Sequence, residues 1–188
     1  MRNLRSLPLV GVLLLTLVVI LGTGDDSSAA SASEPAAPPS NPIVSSSSLP
    51  LQEARIIIDG AVAYARDLKM RMSVVVLDDG GHLISADRMD GTSFNSEHQA
   101  KGKAFTSIIS RQPSAAVAEL MTTAPNRFYG IMNMWPGQVY IVSGGLPLTV
   151  NNRLVGAVGV SGLPSGVDEK AAQAGVAAWQ KYREGQSK

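Results

Sequence analysis

Cysteine is absent from this chain. That excludes disulfides, thiolate-bound metal and a cysteine nucleophile, and with them the lipid-modified cysteine of a lipoprotein. Histidine is nearly absent: His82 and His98 are the only two, too few for a multi-histidine metal centre. Neither G-x-S-x-G nor H-E-x-x-H occurs, so no hydrolytic set is visible. Charge of one sign is missing too. Sixteen basic residues against 15 acidic ones give a net charge of +1, which leaves no electrostatic footprint for nucleic acid. Glycine is plentiful, but Gly156, Gly159 and Gly162 recur every third residue rather than as G-x-G-x-x-G. No strand–helix–strand unit surrounds them, which argues against a dinucleotide site.

What is present divides the chain in three. Arg2 and Arg5 precede an uncharged apolar run from Leu7 to Leu21, and Ala30-Ser31-Ala32 fits an A-x-A cleavage site. Residues 1–32 therefore read as a signal peptide, and the mature protein as exported, periplasmic or extracellular. The apolar run is shorter than the ~20 residues a spanning helix needs. The alternative is an uncleaved anchor, with residues 7–21 as the route to a membrane. Cleavage would remove two charges of each sign and leave the balance at +1. Residues 33–50 hold prolines and a serine run and read as a linker. Residues 51–184 read as one domain.

Within that domain, apolar residues at Leu51, Ala54, Ile57, Ile58, Ala61, Val62, Ala65 and Leu68 form one helical stripe. Residues 72–89 predict a hairpin about Asp78-Asp79-Gly80-Gly81. Asn95 or Ser96 can cap a helix with Ala100, Ala104, Phe105, Ile108 and Ile109 inward. Pro113 opens a further helix to about Met121. Residues 122–137 read as irregular and 138–143 as a strand. A second hairpin, 146–150 with 153–161, turns on Asn151-Asn152. A last helix runs from Val167 or Asp168 to Tyr182 with Val167, Ala171, Ala174, Ala178 and Tyr182 inward, and Asp168 supplies its cap. The order α-ββ-αα-βββ-α predicts an α/β (α+β) fold, an antiparallel sheet of about five strands flanked by helices.

Three segments carry a resemblance: VVVLDDGGHLISADRMDGT (74–92), KAFTSIISRQPS (103–114) and VSGGLPLTVNNRLVGAVGVSGLPSGVDEKAAQAG (142–175). Together they resemble the GlcG/HbpS-like family, which includes the C-terminal domain of PduO-type proteins. The resemblance implies a profilin-like fold, heme as cofactor, and a homo-oligomer. It also implies, for the exported branch, storage, scavenging or redox sensing, with a sensor or transport protein as partner. Two other readings stay open: an enzyme acting on heme, peroxide or a small metabolite, and a ligand-free oligomeric interaction module.

Several residues could carry heme chemistry. His82, after the Gly80-Gly81 turn, is a metal-ligand candidate or a histidine that holds the hairpin. His98, in the first turn of its helix, is a candidate for cofactor or iron, and Gly102 one turn later lets a flat ligand or a helix approach. Lys103 can pair with a propionate, and Lys103-Ala104 followed by Thr106 matches a recurrent family feature. The resemblance implies an oxygen-bearing residue at the heme, and Ser114 stands where relatives often have Thr. Met132 and Met134, among Phe128, Tyr129 and Trp135, can line a porphyrin pocket or pack as a loop or an interface. Asp78, Asp79, Asp87 and Asp90 lack calcium-loop spacing, and read as a solvated hairpin.

Overall fold

The computed structural model describes residues 49–164 and 166–186; the signal peptide and nearly all of the linker expected from the sequence lie outside them. Helix α1 (Leu51–Asp67) is followed by strands β1 (Ser73–Asp78) and β2 (Leu83–Arg88). Four helices come next: α2 (Ser96–Ser110), α3 (Ser114–Ala118), α4 (Leu120–Thr123) and α5 (Pro125–Met134). Strands β3 (Gly145–Val150) and β4 (Arg153–Ser161) and helix α6 (Val167–Gln186) complete the chain. The strands form one antiparallel sheet in the order β2-β1-β4-β3.

The two central strands are apolar on both sides because both faces are covered. Val74, Val76, Val158 and Val160 meet α1 and α6. Val75, Leu77 and Ala157 meet Ala100, Ala104 and Ile108 of α2. The α1 stripe is buried from Ala54 to Ala65, while Leu51 and Leu68 at its ends are exposed. Glu53 on α1 accepts hydrogen bonds from Trp179 Nε1 (2.5 Å) and Arg183 Nη1 (2.9 Å) on α6. Glu53→Ala should cost about 1–3 kcal/mol in urea unfolding, since it leaves a buried indole N–H without its acceptor.

The hairpins follow their local sequence. Asp78 Oδ1 accepts from the N–H groups of Gly80 (2.9 Å) and His82 (2.8 Å), and Gly81 takes φ +83°. Asn151 and Asn152 both have positive φ, 50° and 62°, as a two-residue turn of this hand requires.

The structure differs from the sequence-based expectation in four places. Residues 138–143 are not a strand. Their backbone is used on α2 instead: Tyr140 N–H donates to Gly102 O (3.1 Å) and to Thr106 Oγ1 (3.2 Å). The sheet therefore has four strands among the described residues. Residues 125–134 form a helix, with Pro125 in its first turn, where a missing N–H costs nothing. Helix α2 begins where expected, but Asn95 makes no capping bond; Ser93 Oγ donates to Asn95 Oδ1 (2.7 Å).

The fourth difference is in α6, whose buried face is Asp168, Ala171, Ala172, Gly175 and Trp179. It is rotated about one residue from the predicted stripe, and Ala174, Ala178 and Tyr182 lie at its margin. Gly175 packs against Ile57, where an added Cβ would stand 2.5 Å from the Ile57 carbonyl oxygen. Asp168 lies inside the helix, not at its cap, and turns inward.

Candidate functional site

Helix α2 carries the chemistry on two sides. Toward the interior, Lys103 is buried, and its Nζ donates to Asp168 Oδ2 (2.6 Å) and to Val160 O (2.9 Å). Asp168 Oδ1 accepts from Leu163 N–H (2.9 Å). Burial pushes Lys103 below the ordinary lysine value and Asp168 above the ordinary aspartate value; their mutual hydrogen bond and attraction oppose both shifts. The pair ties α2 to the start of α6 and to the end of β4.

Thr106 and Ser114 are also buried. Thr106 Oγ1 donates to Gly102 O (2.8 Å) and accepts from Tyr140 N–H. Ser114 Oγ donates to Val142 O (2.6 Å) and accepts from Gly145 N–H (2.8 Å). Both hydroxyls thus spend their proton inside the protein, pinning the segment 140–145 to α2 and α3.

Toward the outside, Phe105 meets Trp135 edge-on, with ring centroids 5.3 Å apart and planes at 71°. Trp135 follows α5, a mixed polar and apolar helix in which no residue is buried. Phe105 lines one hollow and Trp135 lines another. One, of about 130 Å³, is lined by Gly81, His98, Lys101, Gly102, Gly137 and Gln138 together with Phe105. The other, of about 230 Å³, lies among Ile109, Val117, Leu120, Arg127, Ile131 and Met134, with Trp135 at its wall. The site thus offers an imidazole beside one hollow, a thioether beside the other, and one cation at each, Lys101 and Arg127.

Of the candidates named from the sequence, the structure therefore places His98 and Met134 at hollows. Met132 is exposed on α5 outside both linings. Lys103, Thr106 and Ser114 belong to the internal framework. His82 lies outside both linings: its side chain is 82% exposed, with Nδ1 3.3 Å from Asp78 Oδ1. Asp87 pairs with Arg55 at 3.0 Å, and no group of three metal-binding side chains occurs among the described residues. Sequence reasoning missed Arg127 and the Phe105–Trp135 contact, although the aromatic cluster at 128–135 was its signal.

A family model described as haem degrading protein HbpS-like matches residues 49–177. The protein GlcG of Escherichia coli K12 is 30% identical over 113 residues, covering 60% of this chain and 81% of GlcG. Among solved structures, a double mutant of Streptomyces reticuli HbpS superposes with a TM-score of 0.64 at 32% identity, over 78% of this chain and 97% of HbpS. A complex of PduOC with heme gives 0.65 at 25% identity, over 70% of this chain and 94% of PduOC.

Proposed function

Since this chain belongs to the HbpS-like family, we propose that it binds heme against the α2–α5 face, outside the cytoplasm, for storage, scavenging or redox sensing. The observation that carries this reading is the Phe105–Trp135 contact, with His98 lining the hollow at Phe105 and Met134 the hollow at Trp135. The residues present fit the group: aromatic and aliphatic walls suit a porphyrin, imidazole and thioether are both iron donors, and Lys101 and Arg127 can pair with propionates. Neither hollow reaches the ~300 Å³ at the lower end of ligand pockets, so α5, which buries none of its residues, must yield to admit it. When bound, heme supplies a redox-active iron. The chain supplies a donor at His98 Nδ1 or Nε2, the aromatic faces of Phe105 and Trp135, and a framework through Lys103, Thr106 and Ser114 that holds α2 in place.

Two features support the wider setting. The basic-then-apolar residues 1–32 support export. Phe94, 91% exposed, and Met134, 72% exposed, suit a homo-oligomer or a protein partner. The mass of the secreted product tests the first point.

Titration of the purified protein with hemin tests the central one. A saturable Soret band at one heme per chain is expected. His98→Ala should shift that band and weaken binding by about tenfold or more, while His82→Ala should leave both unchanged. A protein that stays colourless, with an unmoved melting temperature, defeats the reading and leaves the interaction module. The family's description favours a second reading, an enzyme acting on heme. Loss of the Soret band over time with a reductant or peroxide, absent in His98→Ala, would support it.

A further inference from the structure

Three arginines from three separate elements converge on one cleft at the edge of the sheet. Arg66 comes from the last turn of α1, Arg71 from the connection to β1, and Arg88 from the end of edge strand β2. The cleft measures about 610 Å³, and Val62, Ala86 and Met89 form its apolar wall. It shares no residue with the hollows beside Phe105 and Trp135. Arg71 also lines an adjoining groove of about 340 Å³ that includes Lys69 and Ser93.

The charges do not cancel. Asp87 is held by Arg55 at 3.0 Å. Arg66 and Arg71 have no ion pair or side-chain hydrogen bond among the described residues. Arg88 uses one guanidinium nitrogen on Thr92 O (3.0 Å). Asp90 is thus the one uncommitted carboxylate in the lining, against three guanidinium groups. Arg66 also suits the negative end of the α1 dipole, but that does not bring Arg71 and Arg88 to the same place.

The backbone at Gly91 leaves room in the cleft for one of these guanidinium groups. Gly91 takes φ +74°, and a Cβ there would stand 2.5 Å from Arg71 Nη1. Any side chain at 91 would therefore push the Arg71 head group aside. Guanidinium groups pair with carboxylate and phosphate through parallel N–H···O bonds, and several together select multivalent anions.

We propose that this cleft binds a small multivalent oxyanion, bearing phosphate or several carboxylates, through Arg66, Arg71 and Arg88. The test uses the full-length, heme-free chain and calorimetric titration at constant ionic strength, with inorganic pyrophosphate and citrate as probes and acetate as the monovalent control. One site per chain with submillimolar affinity for pyrophosphate or citrate is expected, and none for acetate. Arg66→Gln/Arg71→Gln should weaken it by about tenfold or more, with an unaltered melting temperature because both side chains are exposed. Sedimentation with vesicles containing phosphatidylglycerol, compared with pure phosphatidylcholine, distinguishes a lipid headgroup from a free anion as the source. Absence of saturable binding of every anionic probe, or equal affinity in the double variant, overturns the proposal. Neither result bears on heme, which is read separately by its Soret band.

Discussion

Asp168→Asn is expected to lower the unfolding free energy by about 3–5 kcal/mol, because it strands a buried ammonium. Lys103 Nζ has two acceptors, Asp168 Oδ2 and Val160 O, and only the carboxylate carries charge. An amide at 168 leaves the desolvation cost on Lys103 and removes most of what offsets it. In a domain of this size the melting temperature should fall by roughly 10 °C. Lys103→Met/Asp168→Leu should recover part of the loss, since apolar side chains of similar volume carry no desolvation cost. Recovery stays partial because Leu163 N–H loses its acceptor. A double variant as unstable as Asp168→Asn would show that a stranded charge is not the cause.

The same variant has a signed pH dependence. Burial holds Lys103 below the ordinary lysine value of 10.5, and Asp168 supplies the two influences that raise it. Removing the carboxylate lowers the folded-state value further, while the unfolded value stays put. Over that window the unfolded chain binds more protons than the folded one, so stability rises with pH. The deficit of Asp168→Asn against the parent should therefore shrink between neutral pH and about pH 10. Urea midpoints at the two ends check this, and a deficit that widens contradicts it.

The fold was legible wherever the signal was local. The α1 stripe repeats every three or four residues, and the Asn151-Asn152 turn states its own backbone conformation. The segment 138–143 misled because a short apolar run looks like a strand whatever its backbone bonds to, and here the partner is a helix. The α6 face was misread by one residue because a buried aspartate has no place in an apolar stripe. Its reason is Lys103, 65 residues away in sequence. The same pairing explains why the site was only partly legible. Lys103, Thr106 and Ser114 were chosen for their chemistry, and sequence shows chemistry but not which side of a helix is closed by a segment from elsewhere. His98 and Met134 fall at the hollows because they lie on faces that the chain leaves open. The arginine cleft left no pattern, since residues 66, 71 and 88 meet only once β2 has folded back beside β1.

Gly159→Ala should be among the most disruptive single-methyl changes in the protein. Gly145 and Gly159 are partners across β3 and β4, and α2 lies directly on them. A Cβ on Gly159 would run into the carbonyl oxygen of Ala100, and one on Gly145 into that of Lys103. Those are backbone atoms, so no rotamer change relieves the contact and α2 must lift. The expected loss is about 3 kcal/mol, the upper end of overpacking costs. His98, Lys101 and Phe105 ride on α2, so hemin affinity should fall even at temperatures where the variant stays folded. Gly130→Ala makes the opposite prediction. Gly130 is in α5, and a Cβ there would meet nothing within 4 Å, so the change should stabilise by about 0.5–1 kcal/mol through helix propensity. One methyl group is thus expected to move the melting temperature down in the sheet and up in the exposed helix. Shifts of the same sign would mean that close seating of α2 on the sheet is not what Gly159 provides.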